Sequence, residues 1–361
     1  MKIIQLVYSL CSGGAEKFVV DLSNEMARRG HDVTLCMLLD DAPEGRAFNK
    51  QFLSPAVHFR SLHFERGFSL GKVRAVEKFI LGERPDVVHC HLNVIPYVFR
   101  LAMTRRKIKF FHTLHNVAEK ACGTSAQKRI NRFFYARRWI RPITISRLCQ
   151  ESFVRFYHLP PAPHIDNGRS VVAPSTVLSA VKQEVNGYKA AASTPVFVHV
   201  ARCDAQKNQR LLISTFNRLD KEGTDFCLLV LGAGYGSDEG KQLQQAACNK
   251  IHFLGEKGNV GDYLLCADAF CLTSRFEGLP ISLLEALSCG LTPVCTAVGG
   301  IPDVVTDGET GYLSAVSEEG YHQALLRFLH RRIEPEKLKA HFRANYSIAV
   351  CAEKYLTLFQ K

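Results

Sequence analysis

Ala269-Phe270-Cys271-Leu272-Thr273-Ser274-Arg275-Phe276-Glu277-Gly278-Leu279-Pro280-Ile281-Ser282-Leu283-Leu284-Glu285-Ala286 passes from one kind of local pattern to another within a few residues. Ala269–Leu272 is a short apolar run of strand length. A polar turn follows and holds Glu277 and Gly278. Pro280 stands where proline opens a helix, since its fixed φ suits the first turn and its missing N–H has no partner to lose there. The periodicity predicts a helix over Ile281–Ser288 and another strand at Pro293–Thr296. Strand, turn, helix and strand in succession is the repeating unit of a parallel sheet with crossover helices.

The alternation extends upstream. Val196–Ala201, Phe226–Leu231 and Ile251–Leu254 read as strands, with helices at Asn208–Arg218, Lys241–Ala247 and Val260–Cys266. Nearer the start, Ile3–Tyr8, Val33–Leu39, Val87–His91, Ile108–Leu114 and Ile143–Ile145 are strand-like. Ala15–Arg29 is helical, with Phe18, Leu22 and Met26 four apart and Gly30 as its stop, and Val73–Leu81 and Gln127–Trp139 follow suit. Between about Leu159 and Pro195 the pattern lapses into Pro160-Pro161-Ala162-Pro163, Asn167-Gly168 and a mixed run, which marks a connection. The expectation is an α/β chain of two doubly wound parallel-sheet domains: residues 1–168, a linker region at 169–194, a second domain at 195–335 and a helical tail at 336–361. Sheets of this kind take ligands outside the carboxyl ends of their strands, so the expected site is a cleft where two such crevices face each other.

Composition agrees with a soluble two-domain protein. The chain has 361 residues, 47% hydrophobic and 22% charged, enough for two cores without staples. No apolar run approaches the roughly 20 residues of a membrane span. Thirteen dispersed cysteines, an odd number with no Cys-x-x-Cys, argue against a zinc ribbon or disulfide framework and for a reducing cytosol. Met1-Lys2 followed by Ile3–Leu10 faintly mimics a signal peptide, but Gln5 interrupts it and a buried first strand fits better. The net charge is +12, and residues 100–150 carry thirteen Lys/Arg against the single acid Glu119, an excess equal to that of the whole chain. So local a basic stretch implies an anionic partner, whether membrane lipid, a phosphorylated substrate or nucleic acid.

Several residue sets at the expected strand ends can carry chemistry. Backbone N–H groups of Gly278 and Leu279, at a helix start, suit a phosphate or sugar oxygen. Glu277 and Glu285, eight apart, can reach one ligand from two depths, and a carboxylate suits a vicinal diol; either glutamate alone is also explained as a solvated surface acid. Arg202 and Lys207, after the strand Val196–Ala201, can neutralise a diphosphate, Arg bidentately and Lys as a point charge; a solvated basic turn is the alternative. Gly13-Gly14 permits close backbone approach to a phosphate or sugar, or is a plain turn. It is neither Gly-x-Gly-x-x-Gly nor a P-loop. Val298-Gly299-Gly300-Ile301-Pro302 lines the site or merely turns. His89, His91, His112 and His115 sit near strand ends of the first domain. Without an acidic cluster or cysteine pair they read as hydrogen-bonding groups rather than metal ligands, and His115 is the best placed to contact a reacting sugar. No Asp-x-Asp is present, so no metal is expected.

In this order, Gly13-Gly14, Pro85-Asp86-Val87-Val88-His89, Thr113-Leu114-His115, Asn167-Gly168, Arg202 with Lys207-Asn208, Glu277 through Glu285 and Val298–Pro302 resemble family 4 glycosyltransferases, retaining enzymes of GT-B fold with a Glu-x7-Glu signature. The resemblance implies a first domain for the acceptor, a second for the nucleotide-sugar donor, and a terminal helix that crosses back onto the first. It assigns catalysis to Glu277, His115, Arg202 and Lys207. Donor binding falls to Gly14, Arg202, Lys207, Gly278, Leu279 and Glu285, with Glu285 on the ribose and Glu277 toward the transferred sugar. The implied substrates are a nucleoside-diphosphate sugar and a glycan or lipid-linked acceptor, in cell-envelope polysaccharide synthesis. Metal-free stabilisation of the leaving diphosphate is implied, with no cofactor beyond the co-substrate. Asp303 stands where Glu is common, and Arg169-Ser170 where an apolar residue and Asp are usual.

The basic segment is expected on the acceptor or membrane side through Arg129, Arg132 and Trp139. A helix from Gln127 would carry Lys128, Arg132, Tyr135 and Trp139 on one face, suited to an anionic bilayer. The implied location is cytoplasmic, peripheral on the inner face of the membrane. Nucleic acid is not expected, since no recognised binding module accompanies the charge. The rival readings are a basic binding module without catalysis and another GT-B enzyme such as an epimerase or phosphorylase.

Overall fold

A computed structural model describes residues 1–42, 45–105 and 107–361. Arg106, counted in the basic segment, lies outside the described residues. The chain forms two compact units, one of Met1–Arg169 with Tyr346–Lys361 and one of Ser170–Asn345.

The first unit is built on a parallel sheet of β1 (Lys2–Val7), β2 (Asp32–Leu39), β3 (His58–Phe64), β4 (Val87–His91), β5 (Lys109–Leu114) and β6 (Arg141–Thr144), in the order β3-β2-β1-β4-β5-β6. β1, β2, β4 and β5 are almost wholly buried, which is why they read as continuous apolar runs. β3 lies at the edge with His58, Arg60 and His63 exposed, so it lacks the run that would announce it. Order reverses between β1 and β4, and a crevice opens at such a switch point.

The second unit repeats the plan with β7 (Val196–Val200), β8 (Cys227–Leu231), β9 (Ile251–Gly255), β10 (Ala269–Leu272), β11 (Thr292–Thr296) and β12 (Tyr312–Ser314), in the order β12-β11-β10-β7-β8-β9. Its switch point lies between β7 and β10. Its core is aromatic beneath the sheet, where Phe197 meets Phe216 and Phe328 at 5.1 Å between ring centroids.

The connections differ from the sequence expectation in two places. Residues 169–194 hold a helix, Leu178–Tyr188, tied into the second unit where Tyr263 donates to Glu184 at 2.8 Å. The tail is not one helix. Pro335–Asn345 stays with the second unit beside Ile281–Cys289, and Ile348–Gln360 belongs to the first, beside Gly14–Arg28. Ser347 makes the break by capping the second helix through its hydroxyl. Where the chain leaves the first unit and where it returns, Arg169 N–H donates to Tyr346 O and Ile348 N–H to Arg169 O, both at 2.9 Å. The Arg169 side chain, in place of an apolar residue, is buried against Asp21 of the first helix, so each charge answers the other. Among the described residues no helix is long and apolar enough to cross a membrane.

Candidate active site

Two turns at the second unit's switch point are stitched together by backbone and side chain. Arg275 N–H donates to Gln206 O at 2.8 Å, and the Gln206 amide donates to Phe276 O at 3.0 Å. Thr273 Oγ1 donates to the carbonyls of Lys207 and Asn208, both at 3.1 Å. From the other side Thr296 Oγ1 donates to Ser274 O at 2.7 Å, and Gly300 N–H to Gly278 O at 2.9 Å. Gly299, at φ +62°, passes so close to the Glu277 backbone that any side chain would collide with it. The turn after β10 is therefore clamped between the turns after β7 and β11.

The clamp fixes Glu277. Its Oε1 accepts from Lys207 Nζ at 2.7 Å and from Ser274 Oγ at 2.6 Å, while the Glu277 side chain is 6% exposed and that of Lys207 17%. Oε2 takes no hydrogen bond from any described residue. Lys207 is thus not a free cation in a basic turn; it is shared with an acid seventy residues on. Arg202 differs sharply. Its side chain is 75% exposed, and the nearest acid, Asp204, stands 3.7 Å away. Arg202 is held by its backbone instead, where Gln209 Nε2 donates to its carbonyl at 2.7 Å. Pro280 is the N-cap of Ile281–Cys289 rather than its first residue, leaving Gly278 half-buried and Leu279 buried just before the helix. Glu285 lies half-buried in the second turn of that helix. Ser274 was not among the sequence candidates; its three-residue spacing to Glu277 was the only signal.

In the first unit Gly14 is the exposed first residue of Gly14–Arg28, with Gly13 as N-cap. The Glu16 side chain folds back over Gly13. Four histidines gather on two faces of the sheet. His112 has both ring nitrogens in use, Nδ1 with Tyr135 OH at 2.7 Å and Nε2 with Leu92 O at 2.9 Å. His89 Nε2 meets Thr113 Oγ1 at 2.8 Å, and that hydroxyl meets Tyr355 OH at 3.0 Å. His91 touches Gln5 and His115. Burial pushes the imidazole pKa of His112 down to about 4 and that of His115 to about 3, so both are neutral at pH 7.

The basic segment corrects one expectation. The helix is Ser125–Ala136, capped by Thr124 and closed by Arg138 at φ +56°, so Trp139 lies beyond it. Lys128, Arg132, Tyr135 and Trp139 do not share an exposed face. The Lys128 ammonium lies 4.2 Å over the Phe156 ring, Arg132 Nε donates to Tyr157 O at 2.9 Å, and Tyr135 is buried. Trp139 packs against Phe133 and Phe134. The exposed stripe is instead Arg129, Ile130, Phe133 and Arg137, with Ile130 44% and Phe133 39% exposed and the Arg137 guanidinium on the Phe133 ring.

Residues 12–169 match the family model "Glycosyltransferase Family 4" and residues 182–345 the model "Glycosyl transferases group 1". The chain belongs to glycosyltransferase family 4. This transferase is 23% identical over 333 residues to the N-acetyl-alpha-D-glucosaminyl L-malate synthase of Bacillus anthracis, covering 85% of this chain and 81% of that one. It is 24% identical over 264 residues to the Escherichia coli UDP-Gal:alpha-D-GlcNAc-diphosphoundecaprenol alpha-1,3-galactosyltransferase, covering 69% and 68%. Its fold matches that of Anabaena HepE, crystallised with UDP and glucose, at a TM-score of 0.78 and 19% identity over 100% of this chain and 99% of that one. The architecture is GT-B, and the non-catalytic binding module is not favoured.

Proposed function

We propose that this transferase moves a sugar from a uridine-diphosphate sugar to a glycan or lipid-linked acceptor of the cell envelope, with retention and without a metal ion. The observation that carries the reading is Glu277, buried at the second sheet's switch point and fixed through one oxygen by Lys207 and Ser274. An acid locked in this way presents its second oxygen in one direction, which suits a sugar hydroxyl and not a solvated surface role. The E. coli relative's UDP-galactose and the UDP bound in Anabaena HepE support the choice of nucleotide. The diphosphoundecaprenol in the former's name supports a lipid-linked acceptor.

The roles follow from charge and exposure. Arg202, three-quarters exposed and only loosely paired with Asp204 at 3.7 Å, grips the departing diphosphate bidentately. Lys207 adds positive charge to the same leaving group while holding Glu277, and the Gly278 and Leu279 amides add donors at a helix start. These groups take the role a divalent cation would otherwise fill. Glu285 accepts from the ribose hydroxyls. In the first unit, Gly14 is assigned to the donor phosphates and His115 to the transferred sugar. Retention follows if the departing phosphate oxygen accepts the acceptor's proton on the face it leaves: the anomeric C–O bond to phosphate breaks, the bond to acceptor oxygen forms, and the proton ends on the diphosphate. Association with an anionic inner-leaflet surface is assigned to Arg129, Ile130, Phe133 and Arg137, a stripe that pairs cations with exposed apolar side chains.

The test is UDP release from a panel of UDP-sugars with and without envelope lipid extract. Acceptor-dependent release, with the anomeric configuration of the product unchanged by NMR, is the expected result. Inversion would remove retention, and a product that is an epimerised nucleotide sugar would remove the transferase reaction.

A further inference from the structure

β1, β4 and β5 pair in register, Gln5 with His89 and His91 with Thr113. Side chains at alternate positions share a face. Gln5, His91 and His115 therefore lie on one face of three neighbouring strands, each step two residues nearer the carboxyl end. The contacts follow this staircase. Gln5 Oε1 meets His91 Nε2 at 2.8 Å, and His91 Nδ1 meets His115 Nε2 at 3.0 Å. Gln5 and His91 have no solvent exposure. At the far end His115 Nδ1 is buried with no hydrogen-bond partner.

We propose that Gln5 and His91 form a relay that fixes His115 as its Nε2–H tautomer, leaving Nδ1 as an acceptor for a sugar hydroxyl. The argument counts protons. The Gln5 amide nitrogen points at Met26 Sδ, 3.4 Å away, a weak acceptor that the amide N–H satisfies and the amide oxygen would not. Oε1 therefore faces His91 and requires a proton on its Nε2. Burial and the neighbouring imidazoles of His89 and His115 hold His91 neutral, so its Nδ1 is bare. A bare Nδ1 accepts, and the proton in the next contact must sit on His115 Nε2. His115, also neutral, keeps a lone pair at Nδ1. Reversing every step would turn the Gln5 oxygen to the sulfur and leave a buried N–H at His115 without a partner, the costlier kind of orphan. Both ends select the same polarity.

Gln5 and His91 act through His115 and are positioning residues. An acceptor at Nδ1 receives an O–H and cannot donate to a phosphate oxygen. The ligand group it selects is a hydroxyl of the sugar, not the leaving diphosphate.

The full-length protein labelled with 15N-histidine tests this, because two-bond couplings distinguish bare from protonated ring nitrogens. At pH 7.5 the wild type should show His91 and His115 as Nε2–H, with His115→Phe supplying the assignment. His91→Leu should release His115 into a mixture of tautomers, and His91→Asn, whose side-chain oxygen replaces the lost acceptor, should restore Nε2–H. A merely structural His91 would not move this signature. Nδ1–H at His115 in the wild type overturns the relay, as does an unchanged His115 in His91→Leu; should that variant not fold, the wild-type tautomer decides. The proposal rests on the assignment of His115 to the sugar, and the two fail separately. Full UDP release by His115→Ala, with the tautomers as expected, would remove the hydroxyl contact. A wrong tautomer would sink the relay and leave the transferase standing.

Discussion

Replacing Lys207 by methionine removes the ammonium that lies 2.7 Å from Glu277 while keeping the stem that fills its place. At that distance two unit charges attract by about 6 kcal/mol at an effective dielectric constant near 20. The net loss is smaller, because deleting the ammonium also deletes its own desolvation cost, and Ser274 still donates to the carboxylate. Breaking one side of a buried pair costs about 3–5 kcal/mol. With the Lys207 side chain 17% exposed, water reaches the gap and the low end, about 3 kcal/mol, is expected. Glu277→Gln on top of Lys207→Met removes the stranded charge and should recover about 2 kcal/mol. Hydrogen exchange of peptides spanning β10 and β11 is the assay. The only tryptophan, Trp139, sits in the other unit and would not report. Additivity of the two substitutions to within about 0.5 kcal/mol would refute the coupling and return Lys207 to the role of a free basic residue.

Glu285→Ala should raise KM for the donor with kcat little changed, since a ribose contact is equal in ground and transition states, whereas Glu277→Gln should lower kcat; steady-state kinetics separate them, and identical effects would count against distinct roles. Activity should survive EDTA, and loss with EDTA restored by magnesium would overturn metal independence. His89, His91, His112, His115 and His199 are buried with pKa values pushed below 6.5 by burial, His112 and His199 to about 4. The unfolded chain binds these protons first, so their contribution is complete above pH 6.5 and is lost as pH falls below it. Stability followed by circular dichroism in denaturant should therefore be lower at pH 5 than at pH 7.5; equal stability at pH 5 and 7.5 would show that the histidines are not held neutral. Phe133→Ser should reduce co-sedimentation with anionic vesicles several-fold more than Lys128→Ala, whose ammonium is engaged by Phe156; equal effects would move docking off this stripe.

The strand ends and the Glu277 turn were readable because Ala269–Leu272 and the helix after Pro280 are local patterns with their own boundary residues. The bond from Lys207 to Glu277 was not, because it joins turns that meet only once β7 and β10 lie side by side. Ser274 belongs to the same case. The end of Ser125–Ala136 is hidden in the sequence because Arg138 takes the left-handed conformation with no glycine to mark it. His58–Phe64 went unread because an edge strand need not be apolar on both faces. The tail reads as one element in the sequence because the periodicity continues across Tyr346 and Ser347, and the serine cap is a weak signal within it.

The segment Tyr346–Lys361 has a consequence for synthesis. Tyr355 and Phe359 lie against His89 and Phe111 at the heart of the first unit. On the ribosome these residues are translated only after all of Ser170–Asn345 has been made. The second unit can close while the first still bares Phe18, His89 and Phe111 along one side of its sheet, an apolar face that invites chaperones. On that order of synthesis the unit begun first can only be finished last.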